Sequence, residues 1–501
     1  MKKYQVYPMH SGFSRIFFAF GMYKIPGNKS KHSLEYLAIH TKTNSCSLSF
    51  RRLAIFNFIA MKKLPLLIAL ALFVFGCNEK KEDPLNTAEV NRLAEQYVRL
   101  GLSIGQYDAD FVDAYYGPDS LRPVVKDSST LALFPKDSLL KTATALQTAL
   151  NGIMASSVND TIKNRVAWMN NQLTAFVRRI KIFSGESVPF DEASQQLFGV
   201  AAPAYPEVHY KKLLATLDSV LPGKGTLPER MTRLSEKFVI PKNKLDTVFK
   251  TAIAEARRRT AAHYTLPPNE NFTLEFVTNK PWSGYNWYKG NFQSLIQVNT
   301  DLPIMIDRAV DLACHEGYPG HHVYNLLLEK NLYRDKGWVE ISLYPLFSPQ
   351  SLIAEGSANF GIEVAFPGRE QAQFATGILL PLAGLDTTGA SAYFTALVIK
   401  RQLNYARNEA ARMIINGSGT EADAMRWLED YALMGKESAK KSISFIKKYG
   451  SYVINYNYGQ DMVKNYVEAK GGTETNAAKR WELFGWLLSN QVKSTDLLLN
   501  Q

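Results

Sequence analysis

An eight-residue segment, HEGYPGHH at residues 315–322, holds the side chains best suited to chemistry. It contains three of the chain's eight histidines and the carboxylate of Glu316, all within about two helical turns. Neutral imidazole is the commonest metal ligand, and a glutamate beside a metal-binding histidine is the usual general base of zinc hydrolases. The segment therefore predicts a metal-dependent hydrolase.

The spacing of these histidines differs from the usual zinc motif, in which two histidines lie at positions i and i+4 of one helix. On a regular helix His321 would be rotated by about 600° from His315, whereas His322 would return to the same face but about 10 Å along the axis. Pro319 and Gly320 interrupt the helix between them and let the chain bring two imidazoles together. We expect His315 and His321 to bind one metal ion, with His322 as the alternative ligand or a neighbour that supports the site.

Glu355 is the predicted third ligand. Apolar and small residues flank it on the next predicted helix, so its side chain is expected to face inward. Burying an unpaired carboxylate is costly, and metal ligation or an ion pair with an arginine would offset that cost. Asn359, one helical turn later, is expected to accept a hydrogen bond from a ligand histidine. Two histidines and one glutamate favour a single Zn²⁺ ion.

The elements that position these residues are predicted to be mainly helical, with a small sheet. A breaker at 266–269 (LPPN) separates a helical first part from two predicted strands, 272–277 and 292–299. Between them lies an aromatic segment, 282–288, which fits a hairpin, a substrate loop or simple packing. Strand 292–299 is our candidate for the edge that would hold a peptide backbone.

Two helices of the second half are predicted to carry the metal ligands. One starts at 301–303 and continues through the histidine segment to about residue 330, and the other starts at Ser348-Pro349 and ends near Ala365. We expect an N-terminal helical half at 85–240 and a catalytic half at 241–501, with one continuous fold as the alternative.

The first sixty residues do not resemble folded protein. They contain nine Lys/Arg and one acidic residue, and no apolar period persists in them. Met61-Lys62-Lys63, an apolar run and Gly76-Cys77 then follow, which is the pattern of a bacterial lipoprotein signal peptide. The apolar run is short of the ~20 residues that a membrane-spanning helix needs. We expect translation to start at Met61, so that residues 1–60 are not made.

This interpretation makes 61–76 a signal peptide, Cys77 the lipidated N-terminus and 77–84 a tether. The mature protein is then expected in the cell envelope, lipid-anchored on the outer membrane or periplasmic face. Residues 1–60 and two signal lysines supply +10 of the formal net charge of +12, so the mature chain carries about +2 and offers no argument for nucleic acid. Cys314 is the cysteine left free, and we expect it to be a buried small residue.

The histidine segment, the later Glu355-Gly356-Ser357-Ala358 and the late Tyr456-Asn457-Tyr458-Gly459 resemble a bacterial family catalogued as the domain of unknown function number 885. Its pattern is His-Glu-x-x-Pro-Gly-His-His, then Glu-Gly-Trp-Ala and a late Tyr-x-x-Gly. Here Ser357 replaces the tryptophan and Tyr324 replaces a glutamine. These departures leave the metal ligands intact and affect substrate choice.

The resemblance extends over most of residues 85–490, and the family is grouped with the Glu-zincin metallopeptidases. It implies a mainly α fold with a small β-sheet, like the oligopeptidase-type zinc enzymes, in which the active-site helices lie at the floor of a channel. It implies hydrolysis of short peptides, with Glu316 as the general base. Tyr458, or Tyr456, is our candidate donor to the oxyanion.

Two other functions are compatible with the sequence. One is a helical ligand-binding surface lipoprotein, or a catalytically dead relative of the enzyme, which would purify without stoichiometric zinc. The other is a metal-dependent hydrolase of non-peptide amides or esters. No obligate protein partner is evident from the sequence.

Overall fold

Helices make up most of the chain in this computed structural model, which describes residues 84–124, 133–280 and 282–498. The α-helices are α1 (Pro84–Gly105), α2 (Lys136–Ser156), α3 (Asp160–Phe183), α4 (Phe190–Phe198), α5 (Glu207–Val220), α6 (Leu227–Ser235), α7 (Leu245–Ala261), α8 (Ile306–Leu312), α9 (His321–Leu328), α10 (Pro349–Ala365), α11 (Glu370–Phe374), α12 (Leu380–Ala383), α13 (Ala390–Leu403), α14 (Ala406–Ile415), α15 (Glu421–Tyr431), α16 (Lys436–Tyr449), α17 (Ile454–Ala469) and α18 (Ala477–Ser489). Short π-helical turns cover Ala313–Gly317, Glu329–Arg334 and Ala375–Leu379.

Five short strands form two small sheets. They are β1 (Val112–Tyr115), β2 (Asn271–Val277), β3 (Gly284–Gly290), β4 (Gln293–Asn299) and β5 (Leu343–Pro345). β1 pairs with β5 in antiparallel fashion, and the larger sheet has the order β2-β4-β3, with β2 parallel and β3 antiparallel to β4. The mainly helical fold with a small sheet is confirmed.

The sheet order corrects one prediction. The strand at 292–299, observed as β4, lies in the middle of its sheet with partners on both sides, so it has no free edge. The two edge strands are β2 and β3, and β3 arises from the aromatic segment and joins β4 through a turn. Asn291 and Phe292 adopt positive φ in that turn, at 54° and 62°. Pairing between distant strands depends on tertiary contacts that local alternation does not specify.

Helix α10 runs through the core, and it is the element that the sequence predicts best. It begins at Pro349 directly after Ser348 and ends at Ala365, and most of its side chains are buried. It crosses α17 so closely that a Cβ on Gly356 would lie 2.3 Å from the carbonyl oxygen of Gly459. This contact holds the start of α17 against the middle of α10.

The predictions for the N-terminal leader, including Cys77, lie outside the described residues. The described residues all belong to one compact unit, Asn78–Gln501, and the division into two halves stays a prediction. None of the helices within the described ranges combines the length and the apolar character needed to cross a bilayer. Cys314 is buried, as predicted.

Candidate metal centre

A sharp turn brings His315 and His321 together. His315 lies in the π-helical turn Ala313–Gly317, and α9 begins at His321. Gly320 fits between them only because it has no side chain: a Cβ there would lie 2.0 Å from the carbonyl oxygen of His315 and 2.3 Å from that of Cys314. The Nε2 atoms of the two imidazoles consequently face each other at 3.2 Å.

Glu355 completes a triangle of ligand atoms. Its Oε2 lies 3.3 Å from Nε2 of His315 and 3.7 Å from Nε2 of His321. The other oxygen, Oε1, accepts a hydrogen bond of 3.0 Å from the Tyr452 hydroxyl. Oε2 is buried and has no hydrogen-bond partner among the described residues. The three predicted ligands therefore converge on one point.

Asn359 determines which nitrogen of His315 faces this point. Its side-chain Oδ1 lies 2.9 Å from Nδ1 of His315, and its Nδ2 donates to the carbonyl oxygen of Tyr456 at 2.8 Å. Because the amide oxygen only accepts, Nδ1 carries the hydrogen, and the tautomer that fits this contact turns the lone pair of Nε2 toward Glu355. A cation between Nε2 and Oε2 would bind both atoms.

The geometry of the triangle fits a zinc ion. Ligand atoms about 2.0–2.1 Å from a tetrahedral Zn²⁺ lie roughly 3.3 Å apart. The three observed separations are 3.2, 3.3 and 3.7 Å. The orphaned carboxylate oxygen and the set of two imidazoles and one carboxylate support the same fit.

The electrostatics of the centre favour a bound positive charge. Burial alone would lower the pKa of His321, but Glu355, Glu316 and Asp113 together raise it to about 9. Burial likewise opposes ionisation of Glu355, yet the imidazoles of His315 and His321 hold its pKa well below the usual range.

Glu316 lies beside the candidate ligands. One of its carboxylate oxygens and the ligand nitrogens of His315 and His321 all lie within 4.8 Å of one another. Strand β3 runs directly against it, since a Cβ on Gly284 would lie 3.0 Å from Oε1 of Glu316, and Asn286 donates a hydrogen bond of 2.6 Å to its backbone carbonyl. These contacts therefore fix the position of strand β3 relative to the carboxylate of Glu316.

His322 is directed away from the centre. Its Nδ1 lies 2.8 Å from the Ser294 hydroxyl and its Nε2 lies 3.1 Å from Oε2 of Glu270, so both nitrogens are engaged. The side chain is fully buried. The structure therefore brings His321, and not His322, to the other candidate ligands. Glu270 carries no sequence signal for this contact, because it follows the LPPN breaker in an irregular segment.

The structure favours Tyr456 over Tyr458 as the tyrosine closer to the candidate ligands, and the donor role of either stays a prediction. Burial raises the pKa of Tyr458, with smaller contributions from Tyr205 and Asp461. Tyr456, two residues earlier and so about 200° around α17, interacts electrostatically with Glu355 and Glu316. The late tyrosine motif therefore supplies Tyr456 instead, and its spacing alone could not decide which face of α17 meets α10.

Sequence reasoning also missed an acidic residue on the first strand. Asp113 of β1 accepts a hydrogen bond from the Tyr285 hydroxyl of β3. Burial raises the pKa of Asp113 to about 6, although the hydrogen bond from Tyr285 and the nearby His321 lower it; Glu355 and Glu316 add smaller raising contributions. No motif surrounds Asp113, and strand β1 is four residues long, so nothing local distinguished it.

No protein-family model matches the sequence, and no curated protein matches it. The resemblance to the family numbered 885 therefore stays a prediction. Three solved structures with some similarity are a protein described as a lipoprotein from Colwellia psychrerythraea (14% identity, 72% of this chain and 68% of that one, TM-score 0.46), a lipoprotein of unknown function from Shewanella oneidensis (14%, 72% and 73%, 0.38) and metallocarboxypeptidase 1 of Trypanosoma cruzi (11%, 82% and 94%, 0.41).

Proposed function

We propose that this chain is a zinc-dependent hydrolase of peptide bonds, with His315, His321 and Glu355 as the metal ligands. The observation that carries this proposal is the convergence of two Nε2 atoms and one carboxylate oxygen within 3.7 Å, with Glu316 beside them. A divalent ion bound there would supply Lewis acidity to a substrate carbonyl and to a water molecule.

The chain's own residues divide the remaining work. Glu316 removes a proton from the attacking water and delivers it to the leaving amine. The Tyr456 hydroxyl donates a hydrogen bond to the oxygen on which negative charge develops. Asn359 keeps Nδ1 of His315 protonated, so that Nε2 is available as a ligand. Tyr452 holds the other oxygen of Glu355.

Strand β3 is the proposed docking edge for the peptide backbone. Within the described strands it pairs on one side only, with β4. The bond from Asn286 to the carbonyl of Glu316 sets this strand alongside the general base. An extended peptide that adds to the free side of β3 would run past the metal ligands, as in other cases of strand addition.

The decisive test is Glu316→Gln. We expect this variant to bind zinc as the wild type does and to lose hydrolysis of short peptides by at least about 100-fold, because general base catalysis is worth about 10²–10⁴-fold. Glu275→Gln, at an exposed glutamate of β2, is the matched control and should keep full activity. Full activity of Glu316→Gln would reject the assignment.

A substrate panel separates peptide hydrolysis from the other functions. Residues 78–501 would be assayed with short peptides, non-peptide amides and esters, with and without a chelator. Cleavage of the esters alone would replace the proposed bond class. A chain that purifies without stoichiometric zinc would point to a binding lipoprotein.

The proposed location is the cell envelope, with a lipid on Cys77 as the membrane contact. Mass spectrometry of the native protein tests this part independently of the chemistry. It should detect a lipid-modified N-terminal peptide at Cys77 and no peptide from residues 1–60.

A further inference from the structure

A second buried cluster flanks the turn that places His321. Oε2 of Glu270 accepts a hydrogen bond of 2.6 Å from the Tyr318 hydroxyl and also lies 3.1 Å from Nε2 of His322. Tyr318 is the last residue before Pro319-Gly320, and His322 follows His321. One carboxylate oxygen therefore connects the two sides of the turn.

Both oxygens of Glu270 and both nitrogens of His322 have partners, and the side chains of Glu270 and His322 are buried. The second oxygen of Glu270 accepts from Nε of Arg257 at 2.8 Å, and the Nδ1 atom of His322 lies 2.8 Å from the Ser294 hydroxyl. The ring of Phe272 lies 5.5 Å from the rings of both Tyr318 and His322. The position and orientation of the His322 ring are therefore fixed by contacts at both nitrogens and by the packing of the ring against Phe272.

The hydrogen-bonded series Ser294, His322 and Glu270 has the residue types of a nucleophilic catalytic triad. Here the serine is 5% exposed and lies on β4, the central strand of its sheet. A substrate has no route to a hydroxyl in that position. The cluster therefore holds the chain in place and does not react.

We propose that Glu270 is a positioning residue for the metal centre: by bracing Tyr318 and His322 across the Pro319-Gly320 turn, it sets the place of the His321 imidazole between them. This inference rests on the proposed metal site. It explains why a second, fully buried histidine follows the ligand directly, since one holds the ion and its neighbour anchors the start of α9.

Glu270→Gln tests the brace. The glutamine has one oxygen and one amide nitrogen, so it cannot accept both from Arg257 and from the pair Tyr318 and His322. We expect the zinc Kd to rise about 10–100-fold, as for other partners that orient metal ligands. We also expect the absorption bands of the Co²⁺-loaded protein to shift, because a displaced imidazole changes the ligand geometry.

Glu340→Gln is the matched control. Glu340 is fully buried and pairs with Arg165 at 2.6 Å, away from the histidine segment, so the same chemical change should destabilise the fold there without moving a ligand. Its zinc Kd and Co²⁺ spectrum should match the wild type. Equal shifts in both variants would mean general loosening and would overturn the proposal.

Tyr318→Phe keeps the proposal testable if Glu270→Gln does not fold. This variant removes one hydroxyl and leaves the ring against Phe272. We expect a smaller rise in the zinc Kd, about 3–10-fold, because one hydrogen bond contributes about 1 kcal/mol. Wild-type Kd and spectrum in both variants would overturn the brace while leaving the enzyme proposal intact. Normal zinc binding in the wild type without peptide cleavage would overturn the enzyme proposal alone.

Discussion

Replacing Gly320 by alanine is expected to abolish tight zinc binding. The added Cβ would lie 2.0 Å from the carbonyl oxygen of His315, and real contacts of this kind stay beyond 3.0 Å. Because the obstructing atoms are backbone, the segment that carries His315 and the start of α9 must separate by about 1 Å or more. Metal–ligand distances tolerate about 0.2 Å.

The magnitude follows from this mismatch. A shift of about 1 Å removes His321 from the triangle, and loss of a ligand costs more than the 10–100-fold that loss of an outer partner costs. We therefore expect the zinc Kd to rise at least about 100-fold. Crowding of the turn should also lower the free energy of unfolding by about 1–3 kcal/mol.

The assay is a chelator competition for zinc, with metal content measured after dialysis. Gly377→Ala is the control, because a Cβ there meets nothing within 4 Å. Urea unfolding of the metal-free proteins verifies that Gly320→Ala remains folded. A folded Gly320→Ala protein that binds zinc with the wild-type Kd would refute the argument that this turn creates the site.

Four further results are expected. Asn359→Ala should raise the zinc Kd about 10–100-fold in the same competition assay, and Asn359→Asp should raise it less, because a carboxylate keeps the acceptor for Nδ1 of His315 but loses the donor to the Tyr456 carbonyl. Gly356→Ala should lower the free energy of unfolding in urea by about 1–3 kcal/mol, because its Cβ meets a carbonyl of α17; Gly435→Ala, which meets nothing, should not. Zinc binding at neutral pH should release a proton and tighten as the pH rises towards 9, since the pKa of His321 is about 9 without metal; calorimetry in two buffers measures this. Burial raises the pKa of Glu270, but hydrogen bonds from His322, Tyr318 and Arg257 lower it to about 2. The ionised carboxylate therefore stabilises the fold above about pH 4.5, and this stabilisation is lost as the pH falls towards 2. Acid unfolding of Glu270→Gln should lack this pH-dependent loss of stability.

Local signals were enough to single out the three candidate ligands that the structure brings together. The cap and proline at Ser348-Pro349 fix where α10 starts, and small and apolar neighbours indicate that Glu355 faces inward. The Pro319-Gly320 pair marks the break without which His315 and His321 could not meet. Each of these inferences uses only residues within a few positions of the ligand.

The parts that the sequence could not predict depend on contacts between distant segments. Tyr456 and Tyr458 both belong to the same motif, and only the crossing of α17 over α10 decides between them. Tyr452, Tyr456 and Gly459 follow each other at spacings of four and three, so they share the face that meets α10. The close approach of Gly459 to Gly356 identifies that face, and it is visible only in three dimensions.

The adjacent histidines show how such distant contacts assign different roles to similar residues. Consecutive positions on a helix point about 100° apart, so His321 and His322 cannot easily turn toward the same ion. Each instead meets a carboxylate from another part of the chain, Glu355 from α10 and Glu270 from the segment before β2. The first carboxylate has an oxygen without a hydrogen-bond partner, whereas both oxygens of the second are occupied by Arg257, Tyr318 and His322. An oxygen left open beside two imidazoles is suited to a cation, and a fully bonded one is suited to holding the chain.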